Sequence, residues 1–146
     1  SGESDMVRVV TKTFMAELGR DLANADSVAD VLTQRLHPDF VRVSATGRLN
    51  RDQWIDTYRA LRIAFPDLEM STEITVADGE WIVTKWTATG HHRGAYFGVP
   101  PTGREVYATG ITMTRFADGV IAEEHSSWNK ADVMHALGII PISELE

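Results

Sequence analysis

The chain has 146 residues, no cysteine, and a formal net charge of −7 from 14 basic and 21 acidic residues. That length suits one domain, 1–146, with a single sizeable core, and the missing cysteines exclude disulfides, thiolate nucleophiles and cysteine-bound zinc. The acidic balance and scattered basic residues exclude a nucleic-acid surface and a basic membrane-lying helix, and no apolar run approaches the length of a membrane span. The first residues lack the basic start and apolar core of a secretory leader, so a cytoplasmic setting is expected, with residues 1–5 a disordered or cloning remnant ahead of Met6.

Met6, Val10, Phe14 and Leu18 recur every fourth residue and predict a first helix with one apolar stripe. Asp26 or Ser27 then caps a short helix bearing Val28, Val31, Leu32 and Leu36, which Pro38 is expected to end. A strand at 40–44 and a turn at Gly47 follow. Trp54, Tyr58, Leu61 and Phe65 mark a third helix, stopped by Pro66. After Pro66 the period changes to two, and four strands alternate with hairpin turns expected at Asp78-Gly79 and Asp118-Gly119. A short helical turn ends at Gly138. Helices followed by a strand meander make an α+β order. Such a sheet can curl around the helices into a cone whose apolar interior forms a ligand pocket.

The stretch GHHRGAYFGVPPTGREVYATG, residues 90–110, raises the question of chemistry. Adjacent histidines on a strand point to opposite faces, and no helical histidine pair supplies further ligands, so no metal site is expected. No glycine-rich phosphate loop is present, so no nucleotide cofactor is indicated. The residues AYFGVPPTG suit a rim or lid in which Tyr96, Phe97 and Val99 contact a ligand or simply pack. Two places are open to His92: an acid or base at the pocket mouth, or an anchor for the 94–103 loop. His91 is expected to face solvent. Phe14, Trp54, Tyr58 and Trp86 read equally as core or pocket wall. His37 and Asp39, in HPDF at 37–40, read first as the close of the second helix.

Three stretches, GHHRGAYFGVPPTGREV, FADGVIAEEHSSW and ALGIIP, taken in order with the AFPDL ending of the third helix, resemble the SnoaL-like polyketide cyclases of the nuclear-transport-factor-2-like superfamily. The resemblance implies a cone-shaped α+β barrel, three N-terminal helices packed on a curled, mostly antiparallel sheet, often dimeric. It also implies an apolar pocket for a small polyketide-derived substrate, worked without a cofactor. The aldol-type members use an aspartate on the last strand and a histidine on the strand before it. Aligned on FADG and on Leu137-Gly138, those positions carry Ser126 and Thr112 here, with His125 where the family usually has tryptophan and Asn129 at a second aspartate position.

An aldol closure needs a group that takes and returns a proton near neutrality, which a serine hydroxyl does not. Ring closure by shape, a folded conformer held in a snug pocket, is therefore the expected route, with Ser126, Thr112, Tyr58 or His92 polarising a carbonyl. Glu124 reads as a rim carboxylate or, in phase with Ser126 and Trp128, as a pocket group. A regular two-residue turn at Asp118-Gly119 would pair Thr112 with His125, and a one-residue slip reverses every side chain, so the residues leave the register open, while the family resemblance favours Ser126 inside. The expected machinery is Ser126, Thr112, His92, Glu124 and Tyr58, with Phe14, Trp54, Trp86, Tyr96, Phe97, Val99 and Trp128 binding substrate. The alternatives are a hydroxylase of aromatic polyketides with a reductase partner, and a non-catalytic small-molecule binder.

Overall fold

A computed structural model describes residues 2–139, with side chains from residue 12 onward. Helix α1 (Gly2–Asn24) takes in residues 2–5, so the remnant expected there is helical in backbone, and Met6 and Val10 of the expected stripe lie outside the described side chains. Helix α2 (Val28–Arg35) starts at Ser27, whose hydroxyl accepts from the Asp30 amide at 3.2 Å. The chain turns extended one residue earlier than expected. Leu36 opens strand β1 (Leu36–Ser44), which contains Pro38. A proline can sit there because the parallel pairing with the last strand skips from Leu36–Ile121 to Val41–Glu123, leaving Pro38 in a stretch with no partner. His37 does not close the helix. It reaches Asp118 at 3.2 Å and ties β1 to the last hairpin turn.

A short strand not anticipated from sequence, β2 (Gly47–Asn50), pairs back on β1 and delivers Asn50 as the cap of α3 (Arg51–Ala64). Asn50 and Gln53 exchange reciprocal bonds of 2.9 Å, a complete capping box. The remaining elements are β3 (Glu69–Asp78), β4 (Trp81–His91), β5 (Glu105–Ala117), β6 (Val120–Trp128) and α4 (Lys130–Ala136). The β3–β4 turn lies one residue later than expected, at Gly79-Glu80, because Asp78 pairs with Trp81. In the β5–β6 turn Asp118 (φ 55°) and Gly119 (φ 78°) are both left-handed, as the tight hairpin requires.

One six-stranded sheet results, in the order β2-β1-β6-β5-β4-β3, antiparallel except for β1 with β6. The α+β architecture of helices on a curled, mostly antiparallel sheet is as the sequence implied. Two apolar clusters flank the hollow of the sheet. One gathers Leu18, Leu32, Leu36, Phe40, Ile55, Tyr58 and Ile121; the other gathers Ala64, Phe65, Ala88, Val106, Ala108, Val133 and Leu137. Among the described residues no helix is long and apolar enough to cross a membrane.

Candidate active site

Between the two clusters lies a cavity of about 650 Å³, walled by α1, α3, the inner face of the sheet and the 93–104 loop. Its polar features are arranged in rows, because residues two apart on neighbouring strands stand side by side on one face. The first row crosses Arg42, Glu124 and Thr114. The second crosses Ser126, Thr112 and Thr84, a band of three hydroxyls. In the third, Trp128 and Trp86 stand on either side of Gly110.

A β-bulge produces this order. Beyond the two-residue turn, Phe116 pairs with Ile121, but Arg115 pairs with Glu123, so Ala122 is an extra residue on β6. The slip of one residue places Ser126, and not His125, opposite Thr112. His125 lies on the outer face, 2.5 Å from Glu123. The hydrogen bond and Arg115 hold the Glu123 carboxyl below its usual range.

The hydroxyl band is wired. The Trp86 indole N–H donates to Thr112 Oγ1 at 2.9 Å, and Thr112 Oγ1 lies 3.0 Å from Ser126 Oγ. An indole nitrogen only donates, so Thr112 accepts from Trp86, and either hydroxyl can donate in the bond between Thr112 and Ser126. Ser126 lines the cavity. Burial raises the phenol of Tyr58 above its ordinary range, against an opposing pull from Arg62, so Tyr58 stays a neutral donor in the wall.

In the first row, Arg42 Nη1 donates to Glu124 Oε1 at 2.8 Å, and the guanidinium carbon sits 3.9 Å from the centre of the Trp54 ring. Thr114 holds the other carboxylate oxygen loosely, at 3.4 Å. Both side chains of the pair are largely buried, so Glu124 is no rim carboxylate. Arg42 was missed in sequence. Its signal was the phase of FVRVS, where it shares a strand face with Phe40, a core residue.

Of the residues expected in the site, Ser126, Thr112, Glu124, Tyr58, Trp54, Trp86, Tyr96, Phe97 and Trp128 line the cavity. Three do not. Phe14 packs edge-on against Phe116, with its centroid 5.2 Å away, and under Arg35. Val99 answers Tyr96 in the turn of the loop. His92, with no exposure, lies behind the wall: its Nδ1 accepts from the Thr102 amide at 3.2 Å, and its backbone bonds Arg104 and Gly103. That is the anchoring place and not the pocket-mouth one. His91 is not free in solvent either, since Asp67 takes its Nδ1 at 2.6 Å.

The loop itself is held at a helix end. The amides of Arg93 and Gly94 donate to the Ala64 carbonyl, and a Cβ on Gly94 would stand 2.2 Å from the Ile63 oxygen. At its tip Phe97 (φ 48°) adopts a left-handed backbone beside Gly98 and meets Tyr96 edge-on, the ring centres 4.6 Å apart. No group of three or more His, Cys, Asp or Glu among the described residues is placed to hold a metal.

Residues 13–137 match the model of the SnoaL-like polyketide cyclases. No curated protein matches the chain. Among solved structures, AclR, a candidate hydroxylase from Streptomyces galilaeus, is 25% identical, with a TM-score of 0.80 over 89% of this chain and 96% of that one. A candidate SnoaL-like polyketide cyclase from Jannaschia sp. CCS1 is 26% identical, with a TM-score of 0.75 over 88% of this chain and 94% of its own. IdmH, a candidate polyketide cyclase from Streptomyces antibioticus, is also 26% identical, with a TM-score of 0.73 over 87% and 97%. The order of helices and strands, the cavity between them and the family match over most of the chain agree: this protein belongs to the SnoaL-like polyketide cyclases.

Proposed function

We propose that the protein closes a ring in a largely apolar, polyketide-derived intermediate of natural-product biosynthesis, without a bound cofactor. The wired hydroxyl band carries this reading. Ser126, joined through Thr112 to the Trp86 indole, offers a hydroxyl to an apolar cavity of about 650 Å³, where a carbonyl that gains negative charge during ring closure would be stabilised. Trp54, Trp86, Trp128, Tyr96 and Phe97 supply flat apolar walls that hold a flexible chain folded, so that part of the barrier is met by lost freedom on binding. Tyr58 is a second donor. The test is mass spectrometry of products after incubation with linear and already cyclised polyketides. A product of unchanged mass and new retention, or one lighter by a water, supports cyclisation; no turnover with a compound retained would leave a binding protein.

A second reading rests on the likeness to AclR, a candidate hydroxylase. A gain of one oxygen that depends on added reductant would establish it and overturn the first.

The same proposal includes a homodimer through the outer face of the sheet. Ile74 and Ile111 share one outward row with Lys85 between them, and Val76 and Met113 share the next, all four apolar side chains being exposed. Ile111→Glu is expected to give a monomer in sedimentation, where the unaltered chain gives a dimer.

A further inference from the structure

An ion pair inside an apolar cavity asks for an explanation, because burying two charges seldom adds stability over apolar packing. The Arg42–Glu124 pair also has spare capacity. Arg42 uses only Nη1 in hydrogen bonding; among the described residues its Nε and Nη2 donate to nothing, and the Trp54 ring, its centre 3.9 Å from the guanidinium carbon, braces the group. Glu124 Oε2 is held only by the long contact from Thr114. The pair is electrically neutral, and it stands one row from the hydroxyl band, with Glu124 and Ser126 two residues apart on one face.

We propose that Arg42 and Glu124 form a proton-exchange site for a neutral 1,3-dicarbonyl, with Arg42 binding the enolate that results. This rests on the cyclase reading and names its substrate class. The carbon between the two carbonyls gives its proton to Glu124 Oε2, and the electron pair spreads over the two coplanar oxygens. Glu124 becomes a carboxylic acid. The negative charge it held passes to the ligand and stays opposite Arg42, whose planar fork matches two coplanar oxygens. Charge is conserved inside the cavity, and no other reactant is needed. The arithmetic also selects: a ligand that arrives already anionic, such as a carboxylate, would leave one negative charge in excess beside Glu124, whereas a neutral carbon acid would not.

The probe is 1-phenylbutane-1,3-dione, titrated into the whole protein at a pH where the free diketone is un-ionised, with ultraviolet spectra and proton release followed together. The unaltered protein is expected to bind it as the enolate with no net proton released. Glu124→Gln is expected to bind the enolate with one proton released to solution for each ligand bound. Arg42→Met is expected to bind at least about tenfold more weakly, the share of one charge-assisted hydrogen bond, and to leave the diketone neutral. Arg42→Lys keeps the charge without the fork and serves if the methionine variant does not melt cooperatively; it is expected to weaken binding while retaining the enolate spectrum. A neutral spectrum in the unaltered protein, an enolate spectrum in Arg42→Met, or tighter binding of benzoate than of the diketone would overturn the proposal. Because no product is scored, cyclisation observed without enolate binding refutes this site alone, and enolate binding without turnover refutes only the cyclase reading.

Discussion

Thr112 and Ser126 face each other across β5 and β6 with their hydroxyl oxygens 3.0 Å apart, and the Trp86 indole donates to the first of them at 2.9 Å. The pair separates two kinds of loss. Ser126→Ala removes the donor that meets the ligand and leaves Trp86 and Thr112 joined. It is expected to lower kcat about a hundredfold, with KM little changed, the pattern for a group that acts on charge developed in the transition state. Thr112→Val keeps the volume and strands the indole N–H in the wall, so stability falls by about 1–3 kcal/mol together with kcat. Steady-state kinetics and urea melts on the two variants check the distinction.

Gly110 has no side chain because two indoles occupy the space. A Cβ there would stand 2.5 Å from the Trp86 ring, 2.7 Å from the Ser127 carbonyl oxygen and 2.8 Å from the Trp128 Cβ. Two of those neighbours are main chain or close to it and cannot swing away. Gly110→Ala is expected to cost about 1–3 kcal/mol, as for an over-packed core position, and to change the emission spectrum of the displaced tryptophans.

Phe97 is held left-handed at the loop tip, which costs a side chain with a Cβ about 1–2 kcal/mol, yet its ring is two-thirds exposed. The edge-on contact with Tyr96 returns about 0.5–1.5 kcal/mol of that. The two nearly cancel. Phe97→Asn, a residue that tolerates this backbone, is therefore expected to melt within about 1 kcal/mol of the unaltered protein. Affinity for aromatic ligands, read by calorimetry, is expected to fall, since the ring lines the cavity.

The hydrogen bond from His125 is the largest cause of the lowered Glu123 titration, and Arg115 adds to it. A carboxyl depressed in the folded state contributes stability that is full above its unfolded value, near 4.5, and is lost as pH falls through the lower folded value. Glu123 is therefore expected to titrate below 4.5 in a carbon-detected NMR series. In His125→Gln it should move up toward that value and stop short, because Arg115 remains.

The helices and the strand meander were legible because their periods, 3.6 and 2, are set by residues that repeat. Most of the aromatic cavity wall was legible for the same reason. Three things were not. The pairing of Ser126 with Thr112 depends on one surplus residue, Ala122, and a bulge leaves the alternation on either side looking regular. Pro38 reads as a helix stop in any local window; only the skip in pairing with β6 makes room for it in a strand. Arg42 shares the phase of Phe40, which marks an inward strand face and no partner, and its meeting with Glu124 follows from the parallel crossover that lays β1 beside β6. Each is a long-range fact, fixed by what lies next to the residue in space.

The 93–104 loop makes its backbone hydrogen bonds to the rest of the fold at its base. His92 is fully enclosed and grips Thr102, Gly103 and Arg104, while Arg93 and Gly94 close the end of α3. Among the described residues the backbone of the tip from Tyr96 to Val99 bonds only to itself, while the Tyr96 ring meets Phe65 edge-on at 5.4 Å and Lys130 lies over the Phe97 ring at 5.2 Å. Attachment and selectivity are thereby carried by different residues. Side chains at the tip can be rewritten to change which molecules the cavity admits, at the cost of two ring contacts, while the sheet behind them keeps its backbone hydrogen bonds.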